Sequence, residues 1–194
     1  MEDLDTRISE FLAAAQPAPI DLGSLVKNAE DMGLARATAV AIAQADPQKA
    51  ADFVALLADF LTTITPESDG MVVSDGFIAV QLLGHLGSLA SPAIPALEHC
   101  MGLDGREYDL IRWLRLMAAE AKWQITGDPT AALAVATEML NDPEWWLVGH
   151  AADLLGKLGQ TARPVVADLE RLLGHEQDYT RRHVQAAIER VLSS

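Results

Sequence analysis

Three stretches decide how this chain is read: AVQLLGHLGSLASPAIPALEHCM at residues 79–101, AAEAKWQITGDPTAALAVATEML at 118–140 and AADLLGKLGQTARPVVADLERLL at 151–173. Each starts with an Ala-rich helical run, passes a Gly-containing break and ends in a second apolar run. Their first alanines, Ala79, Ala118 and Ala151, are followed by Ala186 at a comparable spacing. Recurrence at this length is the signature of helix pairs that bury their apolar faces against neighbouring copies.

Working outward, the spacing predicts eleven helices and no strand. A first amphipathic helix over 2–15 carries Leu4, Ile8, Phe11 and Leu12 on one face, and the prolines at 17 and 19 end it. A short helix follows over 21–31. Residues 34–45 and 47–64 read as a divergent pair, and 65–75 as the longest loop. Three hairpins come next: 76–89 with 91–101, 108–125 with 129–140, and 143–158 with 162–173. A lone helix over 177–192 closes the array, with Val184, Ala187, Ile188 and Val191 inward. Asp-Pro recurs at 46–47, 128–129 and 142–143, which predicts helices opened by an Asp cap and a first-turn proline. Ser91-Pro92 predicts a similar start.

These residues resemble HEAT repeats in their bacterial form, similar to phycobiliprotein-lyase repeats. The shared elements are A-A-x-x-L-G-x-L-G and, after a short gap, P-x-[IV]-x-x-L-x-x-x-[LM]. The resemblance covers 76–192 well and 34–64 loosely. It implies an all-α, right-handed α-α superhelix, a HEAT-like solenoid filling residues 1–194 as one domain, with 1–33 and 177–192 as caps. Arg181-Arg182-His183-Val184 is similar to the Val-Arg found early in such repeats, whereas Val148-Gly149 lacks the arginine.

Composition narrows the function classes. The 28 acidic and 14 basic residues give a net charge of −14. Residues 1–75 hold 13 acidic and 4 basic residues; the remainder holds 15 and 10. Such a surface favours solubility, and on a sharper reading it steers a basic partner. It disfavours nucleic acid, whose phosphates call for clustered Lys and Arg. The single cysteine, Cys100, excludes a disulfide framework. The acidic N-terminus lacks a basic leader segment, and no apolar run is long enough for a membrane span. The expected location is cytoplasmic.

Chemistry is sparse. The five histidines are His85, His99, His150, His175 and His183. A di-iron HEAT enzyme similar to deoxyhypusine hydroxylase needs several His-Glu dipeptides, and only His175-Glu176 is present. A HEAT-like alkylpurine DNA glycosylase needs a basic groove. The expectation is therefore no catalytic residue, metal or cofactor.

Aligning the second helices separates two faces. Ile94/Leu133/Val166, Leu97/Ala136/Leu169 and Met101/Leu140/Leu173 form the expected buried stripe. Glu98/Thr137/Glu170 and His99/Glu138/Arg171 form the expected exposed one. In HEAT-like arrays the second helices line the concave surface, so Glu98, His99, Thr137, Glu138, Glu170 and Arg171 are candidate binding residues. All four tryptophans fall between 113 and 146. Trp123 is expected in the core and Trp113 between first helices. Trp145 and Trp146 are consecutive and about 100° apart on a helix, so at least one must reach solvent. Both join the candidate set as interface anchors.

The expected function is a non-catalytic scaffold or adaptor that binds a protein or peptide, possibly basic, as a monomer or weak homodimer. An alternative is an acidic inhibitor or immunity-type protein that blocks a basic toxin or enzyme with its N-terminal part. A weaker alternative is a small-molecule enzyme in the concave groove.

Overall fold

The computed structural model describes residues 47–104 and 109–193, and among them the chain is all-helical. The three helices expected before residue 46 lie outside the described residues. Two compact units divide the chain, Met1–Thr126 and Gly127–Ser194.

In the first unit, α1 spans Pro47–Thr62, α2 Gly70–Leu86, α3 Ile94–Met101 and α4 Asp109–Thr126. In the second, α5 spans Thr130–Met139, α6 Trp145–Leu158, α7 Val166–Arg171 and α8 Asp178–Ser193. Short 3-10 segments at Gly87–Ala93, Gly159–Val165 and Leu172–Gly174 prolong α2, α6 and α7. The eight α-helices therefore form six uninterrupted helical stretches among the described residues, where eight of the eleven expected helices fall.

The reason lies in how the breaks are built. Gly87 and Gly159 adopt nearly the same backbone, φ 55° with ψ −137° and φ 55° with ψ −132°. This left-handed half of backbone space is open to glycine at little cost. Each glycine then leads into a 3-10 segment carrying Pro92 or Pro164. Helical hydrogen bonding tightens there instead of stopping. Ser91 consequently caps nothing; its hydroxyl donates to the Ser88 carbonyl at 2.6 Å.

The expected loop over 65–75 is also shorter than its composition suggested. Asp69 Oδ1 accepts from the amides of Met71 and Val72 at 2.9 and 3.0 Å, so α2 opens at Gly70. Turn-forming residues here act as a helix cap. The Asp-Pro device survives in altered form. Asp128 and Asp142 accept from the backbone two residues on, at Thr130 and Glu144, and the helix begins just after.

The closest packing runs between long helices rather than within the expected hairpins. In the first unit α2 lies against α4, while α3 packs on α1 and α4. In the second, α6 lies against α8 and α5, and α7 packs on α8. Small residues make this possible. A Cβ on Gly84 would stand 3.3 Å from the Ala121 Cα, and one on Gly156 would stand 3.1 Å from the Ala187 Cα. The core of the first unit gathers Phe53, Leu57, Leu61, Leu83, Leu97, Ile111 and Leu114. Burying one such side chain contributes about 1.5–3 kcal/mol.

The combined run Gly70–Met101 is long and apolar enough by length and composition to cross a membrane. Its apolar residues Val73, Val80, Leu83 and Leu97 are buried inside the unit, which accounts for that composition.

Candidate functional site

The second helices show where the sequence alignment was right and where it slipped. Leu97, Ala136 and Leu169 are all fully buried. Ile94, Leu133 and Val166 are only half-buried, and Leu173 is 39% exposed. Burial instead follows the residues four before and three after the central one. Ala93, Ala132 and Val165 are buried, as are Cys100 and Met139. The apolar stripe is thus rotated by about one residue at its start; at its end Leu140 is buried as expected, Met101 is half-buried and Leu173 is exposed. Leu173 departs because α7 stops at Arg171 and the 3-10 segment turns the next residues outward.

The six polar candidates divide between the two units. In the first, Glu98 is exposed and accepts from Lys122 Nζ of α4 at 2.6 Å. His99 Nε2 bonds the Ile64 carbonyl at 2.8 Å, which ties α3 to the end of α1. In the second, Thr137 is half-buried and donates to the Leu133 carbonyl at 2.7 Å. Glu138 and Glu170 are exposed on α5 and α7, and exposed Arg171 pairs with Asp168 one turn back. Leu173, Arg181, Arg182, Gln185, Ala186 and Glu189 together line an open groove. Both arginines are engaged: each reaches Asp178, and Arg181 also donates to the carbonyls of His175 and Glu176.

The tryptophans have distinct settings. Trp113 stacks on Phe77 with centroids 4.4 Å apart, joining α4 to α2. Trp123 is half-buried rather than in the core. Trp145 is 39% exposed, and Trp146 is half-buried with its ring edge-on to His150 at 6.0 Å.

A polar seam between α6 and α8 was not foreseen. Tyr179 lies over Gly149, where a Cβ would come 2.4 Å from its ring. Tyr179 meets Trp145 edge-on at 5.3 Å and 76°, and also meets the His183 ring at 4.1 Å. His183 Nδ1 in turn bonds Asp153 Oδ2 at 2.6 Å, and Arg190 lies 3.8 Å from the other carboxylate oxygen. Fully buried Thr180 donates to the Trp145 carbonyl at 2.9 Å. Burial, and then the Asp153 charge, push the Tyr179 phenol above its ordinary range. The sequence held one signal for this seam, the bare Gly149 where α2 has Phe77 at the equivalent position.

Cys100 sits in the core of the first unit, where burial pushes its thiol up to about 12. Among the described residues, no three His, Cys, Asp or Glu side chains gather as a metal site. No protein-family model matches the chain, and no curated protein matches it.

Proposed function

We propose that this chain is a non-catalytic binding protein that presents the polar faces of its second helices to a protein or peptide, in the cytoplasm. The observation that carries the reading is the partition on those helices. Glu98, His99, Glu138, Glu170 and Arg171 are exposed at positions beside the fully buried Leu97, Ala136 and Leu169. Helices that each seal their central apolar residue and leave charged or polar side chains beside it suit recognition more than chemistry.

The same reading takes the copies as HEAT-like repeats in a right-handed superhelix. In support, Gly87 and Gly159 share one backbone geometry, and both lead into a proline-bearing 3-10 segment. Arg115 and Arg181 also recur in role. Each donates to carbonyls at the end of the preceding short helix or its loop, at 3.0 Å to Met101 and 2.7 Å to His175.

The test is a double reversal, Glu138→Arg with Glu170→Arg. Both side chains are exposed, so helicity and Tm should stay nearly unchanged while capture of the partner falls severalfold. Undiminished capture removes the second-helix face from the reading.

A further inference from the structure

The two sides of α8 differ in kind. Val184, Ala187 and Val191 are fully buried, and the helix packs against α6. On the opposite side Arg182, Gln185, Ala186 and Glu189 recur at helical steps and, with Arg181 and Leu173, line one open groove. Leu192 continues that face one turn beyond Glu189 and is 55% exposed. Leu173 and Leu192 are two of the five large hydrophobic side chains exposed among the described residues.

Charge sets this face apart and makes it match itself. The net charge of −14 repels a second copy of the chain in most orientations. Residues 127–194 carry 10 acidic and 6 basic side chains, yet this face holds two of each, Asp178 and Glu189 with Arg181 and Arg182. The signs are ordered along the helix, the arginines near its start and Glu189 near its end. A second α8 turned antiparallel, about an axis between Gln185 and Ala186, brings each Arg182 level with the second copy's Glu189. Among the described residues Glu189 is engaged only by Gln185, which donates to it at 2.8 Å. Arg182 is engaged only by Asp178, an exposed pair at 2.9 Å that yields at little cost. Arg181 and Arg190 also come level, but each is occupied in its own copy. Arg181 donates to the His175 and Glu176 carbonyls, and Arg190 lies beside Asp153. At the axis the small Ala186 allows close approach, and Gln185 both donates and accepts.

We propose that this face joins two copies of the chain as an antiparallel, two-fold dimer, with Leu173 and Leu192 withdrawn from water beside the paired helices. A two-fold interface needs only one patch that complements itself. The inference goes beyond the second-helix reading and does not depend on it. One helix face is a small interface, so the association is weak.

Sedimentation equilibrium of the full chain from about 10 μM to 1 mM spans the range expected of a small interface. The mean mass climbs from one chain toward two and stops there. Arg182→Glu and Glu189→Arg each set like charges opposite one another, and each weakens self-association about tenfold or more. Both positions are exposed, so helicity and Tm stay nearly unchanged. An equimolar mixture of the two variants regains association, because one Arg–Glu pair re-forms reversed and the other is native. Gln185→Cys, next to the axis, gives a disulfide-linked dimer on mild oxidation. A chain that remains monomeric at the highest concentration overturns the dimer, and growth past two chains overturns the two-fold. Self-association that neither substitution weakens, or a mixture that associates no better than its components, overturns the α8 face.

Discussion

The seam between α2 and α4 and the seam between α6 and α8 start from the same plan and end differently. Both rely on a glycine facing an alanine, Gly84 on Ala121 and Gly156 on Ala187. Both follow with a left-handed glycine and a 3-10 link. The first seam is then closed with apolar bulk: Phe77 against Trp113, and fully buried Leu114. At the second, the long helix carries Gly149 where the first has Phe77, and its partner helix answers with Tyr179, Thr180 and His183. The one seam is a packing device. The other spends part of its packing on hydrogen bonds that hold an exposed tryptophan in place, which directs the search for an interface to the second unit.

That contrast breaks most readily at the dry seam. Leu114→Ala removes a fully buried side chain from the first unit and should destabilise it by about 2–5 kcal/mol, read as a lower midpoint in urea unfolding. A loss under 1 kcal/mol would mean that the seam is looser than described. Gly149→Ala probes the polar seam next. The added Cβ meets the Tyr179 ring at 2.4 Å, so the ring must leave, at a cost of about 1–3 kcal/mol. In protein labelled with 5-fluorotryptophan, the fluorine resonance of Trp145 should move with it, while those of Trp113 and Trp123 stay put. Thr180→Val keeps the shape but strips the donor from the Trp145 carbonyl, with an expected loss of about 1–3 kcal/mol.

The smallest effects are ionisations, one in each unit. Cys100 has its thiol raised from an ordinary value of 9.0 to about 12. A raised folded value means that the stabilising contribution is complete below 9.0 and fades as pH climbs toward 12. Labelling of the native protein by a disulfide reagent at pH 8 should therefore be slow and should accelerate on unfolding. Tyr179 is raised in the same direction. Its contribution is likewise present below the ordinary phenol range and lost as pH rises through its folded value. Asp153→Asn should bring its ultraviolet ionisation to lower pH, because one of the two causes is that charge. An unmoved titration would leave burial as the whole cause.

Much of the fold was legible because it depends on local patterning. The Ala-rich runs, the Gly-x-Leu-Gly breaks and the central apolar residues Leu97, Ala136 and Leu169 all mark helices and a buried line. Boundaries were less legible. Asp69-Gly70 has the composition of a loop and the geometry of a cap, and only hydrogen bonds to Met71 and Val72 separate the two. Leu173 has the right spacing to be buried, yet the tightening of the chain after Arg171 turns it outward. All the polar candidates but the half-buried Thr137 were legible as exposed residues, while their engagements with Lys122, Ile64 and Asp168 were not. Such partners come from other turns or other helices, and spacing along one helix carries no record of them.

Sequence alone determined that this chain forms helices with a recurring Gly-broken pattern, and it marked which positions of the short helices meet water. Helical periodicity and glycine's backbone freedom act within a few residues, so one dimension suffices for them. Tertiary structure decided which helices approach closely, and that an empty Cβ position at Gly149 becomes the seat of Tyr179 some thirty residues later. It also decided that Trp145, of the adjacent pair, is the one held from behind and open to solvent. Those outcomes depend on distances between segments remote along the chain, and packing sets such distances.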